Sequence, residues 1–117
     1  GKFSEATTFA PTDHRHYNRN GQAFNAGETF SGIEFADGVR FANEMAALLP
    51  KGPLAQWALR WILDHPEVTT VIPGASSVKQ VESNMAASSL PSLSGNVHRQ
   101  LKDFYHQQVR PKIRGHY

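Results

Sequence analysis

Residues 68–84, which read VTTVIPGASSVKQVESN, decide the fold of this chain. The first five residues of this stretch are mostly β-branched and carry no charge, which predicts a short buried strand over 68–72 rather than a helix. Pro73 and Gly74 end the strand. Ser77 and Gln80 then have the spacing of a capping box, which predicts that a helix begins at this serine and runs over 77–87.

Helices are predicted on both sides of this segment. Residues 36–65 hold two runs in which apolar side chains recur at i, i+3, i+4 and i+7, separated by Pro50 and Gly52. Residues 95–109 hold a further run that Pro111 ends, whereas residues 1–35 show no helical or strand period and are predicted to form a long loop. A single strand cannot satisfy its own backbone donors and acceptors, so the pattern indicates a slice of a larger α/β protein.

The junction between the predicted strand and helix is suited to an anion. Backbone N–H groups at a helix start, the helix dipole and two serine hydroxyls all lie beyond the carboxyl end of the strand. Ligands bind at that end of the strands in α/β folds. An ordinary capped helix would show the same spacing, and the spacing alone leaves that alternative open.

Three blocks resemble the last part of the aldo-keto reductase family. They are ALRWIL at 58–63, VIPGA at 71–75, and Gln80-Val81 followed by Asn84, in the family's order and at its spacing, and the opening GKF is similar to the end of an earlier strand motif. The resemblance implies an NADP-dependent carbonyl reductase with a (β/α)8 TIM barrel of roughly 250 residues. The chain would then be a C-terminal fragment of that α/β barrel, mainly helical with about one short strand when isolated.

The resemblance also implies a role for each segment. Residues 1–35 would be the loop after strand seven, 36–65 the helices before strand eight, and 68–72 strand eight itself. Residues 77–87 would be the next helix, and 95–109 the C-terminal helix outside the barrel.

The nucleotide site follows from the same resemblance. Gly74 and Ser76 match positions that touch the 2′-phosphate or ribose of NADP, and Gln80 and Asn84 match positions at its adenosine end. The resemblance places Lys2 at a position that often reaches the pyrophosphate, and it implies a basic residue over the pyrophosphate, either Arg15 or Arg19 of the long loop; Lys79 is a further candidate for binding phosphate. Ser83 departs from the family, which often has an acidic residue there. Gly74 and Gln80 also stand where many members have Lys or Arg, so Lys79 would have to compensate if NADP is preferred.

No residue of the chain matches the family's catalytic tetrad of Asp, Tyr, Lys and His, which comes from earlier strands. We therefore expect no catalytic residue here, an inactive isolated fragment that requires no cofactor, and NADP(H) and a carbonyl substrate as ligands of the intact protein only. His14 and His16 are interpreted as loop surface rather than as a metal pair, so no metal site is expected.

Composition limits the alternatives. The 117 residues include no cysteine, which fits a reducing compartment, and we expect a cytoplasmic protein. The longest apolar stretch is broken by Arg60, so no membrane association is expected. The chain has no initiator methionine and is expected to come from something longer.

The net charge of +2 is concentrated in the C-terminal tail. This suggests an alternative function, a non-catalytic helical binding module that uses a basic tail for nucleic acid. A solvated helix face explains the charges more simply, so no nucleic-acid partner is expected. A short descendant of the family with a scaffold role is a third reading. Self-association of the fragment is expected, because strand 68–72 and the apolar side chains of residues 54–62 lack neighbours.

Overall fold

A computed structural model describes residues 3–115 of the chain, and Lys2 therefore lies outside the described residues. Five α-helices follow one another along the chain: α1 His14–Tyr17, α2 Phe35–Leu48, α3 Leu54–Leu63, α4 Val78–Ala86 and α5 Gly95–Phe104. A π-helical turn, Tyr105–Val109, continues α5, and single 3-10 turns lie at Ala26–Glu28, Phe30–Gly32, Ala87–Ser89 and Arg110–Lys112. The expectation of a mainly helical chain is thus confirmed for the described residues, and residues 3–35 contain more local structure than a plain loop.

The short strand expected over 68–72 of the isolated chain does not form, whereas its place as strand eight of a complete barrel stays a prediction. These residues have irregular backbone, and no strand occurs between residues 3 and 115. A strand exists only when a neighbouring strand accepts and donates its backbone hydrogen bonds, and no described segment offers that ladder. The β-branched side chains of this stretch favour a strand, but the neighbouring strand with which its backbone would pair is absent from the described residues.

The described chain divides into two compact units. One is the central unit, residues 46–100, and the other is the terminal unit, formed by residues 3–45 together with 101–115. Each is described by itself below.

In the central unit, α3 packs against α4 and the 3-10 turn that follows it. Trp57 of α3, Ala87 and Leu93 are the buried apolar side chains of this unit. The amide of Gln56 donates to the carbonyl oxygen of Ser83 at 3.1 Å and to the hydroxyl of Ser83 at 3.2 Å. The two helices are therefore joined by a polar contact beside the apolar one.

A buried carboxylate at the end of α3 connects this helix to the start of α5. Only 4% of the Asp64 side chain is exposed. Its Oδ1 accepts from Nε and Nη2 of Arg60, both at 2.9 Å. Its Oδ2 accepts the Leu93 backbone N–H at 2.8 Å and lies 3.1 Å from Nε2 of His98. All the strong contacts of this side chain thus go to α3 itself or to residues about thirty positions later.

These contacts set the charge state of Asp64. Burial raises the pKa of the carboxyl group, but the hydrogen bonds from Leu93, His98 and Ser92 and the positive charge of Arg60 outweigh burial. The pKa of Asp64 therefore lies below its ordinary value, and the group is a carboxylate at neutral pH.

The terminal unit is organised by aromatic rings and a buried amide. Four phenylalanine rings form a cluster with centroid distances of 5.1–6.4 Å, made by Phe3, Phe9, Phe30 and Phe35. Asn18 and Thr29 are fully buried and share a hydrogen bond of 3.0 Å. The Asn18 oxygen also accepts the backbone N–H groups of residues 23 and 24, both at 2.9 Å. The Asn18 side chain therefore provides hydrogen-bond partners for buried polar groups inside residues 18–32, which we call the 18–32 loop.

Replacement of the buried carboxylate tests the central unit. Asp64→Asn keeps the size of the side chain but removes the counter-charge of Arg60 and replaces one of the two acceptor oxygens with an NH2 group, so that either Arg60 or the Leu93 N–H loses its acceptor. We expect the free energy of unfolding to fall by about 3 kcal/mol, the scale for removing one member of a buried pair. Urea unfolding followed by circular dichroism measures this.

The matched control is Glu67→Gln, which removes the same charge at an exposed position of the same unit. Equal stability losses for the two variants would contradict the role assigned to Asp64.

Candidate functional site

The turn before α4 is held by two polar side chains of that helix. Ser77 is the N-cap residue, and its hydroxyl accepts the backbone N–H of Gln80 at 3.3 Å. In return, Oε1 of Gln80 accepts the backbone N–H of Ser76 at 2.6 Å and the Ser76 hydroxyl at 3.0 Å. The predicted capping box therefore occurs in a shifted form, because the glutamine reaches one residue beyond the N-cap.

Asn84 completes this arrangement one helical turn later. Its Nδ2 donates to the carbonyl oxygen of Gly74 at 3.3 Å. Gln80 and Asn84 are four residues apart and lie on one face of α4, as their spacing predicts. The two amides thus hold the turn of residues 74–76 against the helix.

The start of α4 offers free donors next to open space. The backbone N–H groups of Val78 and Lys79 have no acceptor among the described residues, as is usual in a first helical turn. A Cβ atom added at Gly74 would meet nothing within 4 Å. Lys79 is exposed and adds a positive charge at the end of the helix that already favours anions. These groups suit a phosphate better than they suit proton transfer.

An apolar groove lies beside this turn. It has a volume of about 460 Å³ and is lined by Leu59 and Leu63 of α3, by Val81 and Met85 of α4, and by Thr69, Thr70, Val71 and Pro73 of the segment between them. Asn84 also lines the groove, so the amide that fixes the turn marks the boundary between the polar and apolar surfaces.

Large apolar side chains remain exposed around the same region. The exposed fractions of Ile72, Val78 and Met85 are 93%, 74% and 68%. Each large apolar side chain left in water forgoes about 1.5–3 kcal/mol of burial free energy. The surface that includes the predicted eighth strand is therefore poorly covered within the described chain.

The two loop arginines, Arg15 and Arg19, differ in their contacts. Nη2 of Arg15 lies 2.6 Å from Oδ2 of Asp13, its Nε donates to Oδ1 at 2.9 Å, and its guanidinium lies 4.6 Å from the centre of the Phe9 ring. The hydrogen bond from Arg15 lowers the pKa of Asp13 well below its usual range. Arg19 is exposed and has no carboxylate partner between residues 3 and 115.

The structure thus places five of the predicted residues together at one turn of the central unit: Gly74, Ser76, Lys79, Gln80 and Asn84. The two arginines belong to the terminal unit, and Lys2 is outside the described residues. Sequence reasoning missed the hydrogen bonds by which Gln80 and Asn84 shape the turn, although their i, i+4 spacing was a usable signal.

Residues 3–115 contain no group of three or more side chains that could hold a metal ion. None of the helices described in that range is long and apolar enough to cross a membrane.

Comparison with known proteins identifies the class. A model of the aldo/keto reductase family matches residues 2–106 of the 117 residues, which is most of the chain. The chain therefore belongs to the aldo/keto reductase family, a family of oxidoreductases, and the resemblance seen in its motifs is confirmed. Neither a curated protein nor a solved structure matches the chain.

Proposed function

We propose that this chain is the C-terminal part of a (β/α)8 barrel and supplies part of the nucleotide site of an NADP-dependent carbonyl reductase, but none of its catalytic residues. Family membership supports the reductase, since the matched region includes the turn and helix described above. The observation that carries the nucleotide site is the set of free donors at the start of α4 beside the open Gly74 position.

The residues present fit a phosphate group. The N–H groups of Val78 and Lys79 and the hydroxyl of Ser76 are donors, the Lys79 ammonium supplies charge, and no carboxylate accepts a hydrogen bond within this turn. Bound NADPH would supply the hydride that reduces an aldehyde or ketone. The residues of this turn would bind and orient the phosphate or ribose, with a preference for NADP that depends on Lys79.

Gln80 and Asn84 serve this site chiefly as positioning residues. One oxygen of Gln80 holds two donors of Ser76, and Asn84 holds the Gly74 carbonyl. The other half of each amide is unused, since Nε2 of Gln80 donates to no acceptor among the described residues and Oδ1 of Asn84 accepts from no donor among them. Those halves remain for the adenosine end of the nucleotide.

Arg19 is a better candidate than Arg15 for the basic residue of the loop. The Arg15 guanidinium already has a carboxylate at 2.6 Å, whereas Arg19 is exposed without one among the described residues. Breaking the Arg15 pair to bind a phosphate would cost the hydrogen bonds to Asp13. We therefore propose Arg19 for the pyrophosphate, together with Lys2.

The alternative function, a helical module that binds nucleic acid through a basic tail, is less well supported. Two of the tail cations have partners within the terminal unit. Lys112 lies 3.6 Å from Asp37, and Arg114 donates its hydrogen bonds to the 18–32 loop. The tail is therefore not an array of free cations of the kind that phosphate backbones recruit.

The isolated 117-residue chain is expected to reduce no carbonyl compound with NADPH. The reason is the absence of a positioned general acid, since nothing in the sequence matches the family's tetrad. Loss of NADPH absorbance with a panel of aldehydes and ketones measures activity, with a complete reductase as the positive control. Turnover above background by the pure chain would overturn the proposal that it holds no catalytic residues.

In the complete reductase, Gln80→Ala combined with Asn84→Ala should raise the KM for NADPH about tenfold and change kcat by less than about twofold, because both groups act on uniform binding remote from the hydride. Steady-state kinetics with varied NADPH measures both constants. Gln100→Ala, which removes an exposed amide from α5, is the control. A strong fall in kcat at unchanged KM would show that the two amides have another role.

The isolated chain is also proposed to self-associate through residues 68–72 and the neighbouring groove. Pairing the unpartnered backbone with a second copy would satisfy its hydrogen bonds and cover apolar surface. Light scattering should find dimers or larger species, which Ile72→Lys shifts toward monomer, while Ala47→Lys on an exposed position of α2 does not. A monodisperse monomeric wild type at millimolar concentration refutes this.

A further inference from the structure

The C-terminal tail of the terminal unit is bound to the 18–32 loop by one arginine. The backbone N–H of Arg114 donates to the carbonyl oxygen of Gly32 at 2.9 Å. Its side chain donates through Nε to the same oxygen at 3.1 Å, through Nη1 to Oδ1 of Asn20 at 3.0 Å, and through Nη2 to the carbonyl oxygen of Arg19 at 3.2 Å. One residue thus joins both ends of the loop.

All of these acceptors are neutral. No carboxylate of the described residues pairs with Arg114, and its guanidinium donates hydrogen bonds to backbone and amide oxygens instead. Hydrogen bonds from a charged donor are stronger than those between neutral groups. A fixed fork of donors is required to reach three separate oxygens, which a lysine does not provide.

The backbone of the loop is shaped for this contact. Phe30 and Ser31 have φ angles of 53° and 55°, and Gly32 has a φ angle of 74°. A Cβ atom at Gly32 would collide with the carbonyl oxygen of Arg114. Two non-glycine residues in the left-handed region cost free energy that surrounding contacts must offset. The hydrogen bonds from Arg114 to Gly32 are among those contacts.

Arg114 contacts the backbone of a second, exposed arginine. It binds the backbone of Arg19, an exposed residue whose guanidinium lies 5.9 Å from the centre of the Phe35 ring and has no carboxylate partner among the described residues. The preceding residue, Asn18, is fully buried and fixed by three hydrogen bonds. Arg19 is therefore an exposed cation on a backbone that is fixed from both sides.

We propose that Arg114 is a positioning residue for Arg19, so that the C-terminal tail controls how well the loop presents this cation to the phosphates of the nucleotide. The inference rests on the proposed function, in which Arg19 binds the pyrophosphate. It adds a second element of the chain, far from Arg19 in sequence, on which nucleotide affinity depends.

A double-mutant cycle in the complete reductase tests this coupling. Arg19→Ala, Arg114→Ala and the double variant are compared by steady-state kinetics with varied NADPH. Arg114→Ala should raise the KM for NADPH about tenfold, the scale of one lost hydrogen bond to a charged group. In the Arg19→Ala background the same replacement should raise the KM by less than about twofold, because a residue that acts through Arg19 has no effect without it. The kcat should stay constant throughout.

Arg110→Ala is the matched control, because it removes an exposed arginine from the same tail, and it should leave the KM unchanged. Arg114→Lys should fall between wild type and Arg114→Ala. Equal effects of Arg114→Ala in both backgrounds, or a fall in kcat, overturn the positioning role. If Arg19→Ala itself leaves the KM unchanged, the proposed function of Arg19 fails instead.

A measurement without nucleotide separates the contact from its consequence. Amide hydrogen exchange in the 117-residue chain should accelerate at residues 18–32 in Arg114→Ala and stay unchanged in Arg110→Ala. Unchanged exchange in Arg114→Ala overturns the proposal whatever the kinetics show, because the tail would then not hold the loop.

Discussion

The central unit depends on the ion pair and hydrogen bonds of one buried carboxylate, that of Asp64. A buried charge is tolerated only when it is paired and hydrogen-bonded, and Asp64 has Arg60 on one oxygen and Leu93 N–H with His98 on the other. These bonds hold residues 92–98 against the end of α3. Because the folded pKa lies below the unfolded value, the stability that this group contributes is present near neutral pH and is lost as the pH falls into the acid range.

The turn of residues 74–76 depends on the same contacts. Asp64 fixes the end of α3, and Gln56 in the same helix contacts Ser83 of α4. The position of α4 then determines where Gln80 and Asn84 can reach, and these two amides hold residues 74–76. The position of the free N–H donors of Val78 and Lys79 therefore depends on this series of hydrogen bonds.

Features with a local cause could be predicted from the sequence. Helix α3 follows from the apolar spacing between Pro50 and Pro66 and α4 from the Ser77 cap, and the candidate site residues of α4 follow from family motifs. The strand at 68–72 could not be judged locally, because a strand needs a partner that composition does not reveal. The contact between Asp64 and Leu93 spans 29 positions and that between Arg114 and Gly32 spans 82, and neither leaves a local pattern. The difference between Arg15 and Arg19 depends on the orientation of one neighbouring carboxylate, Asp13.

We propose that residues 74–84 bind part of a nicotinamide nucleotide within a complete barrel. A crystal structure of the complete reductase with bound NADP tests it most directly. The account predicts a phosphate or ribose oxygen within hydrogen-bond distance of the N–H groups of residues 76–79, with Gln80 and Asn84 still holding the turn and residues 68–72 paired as a strand. A nucleotide bound elsewhere, with no atom near this turn, would contradict it.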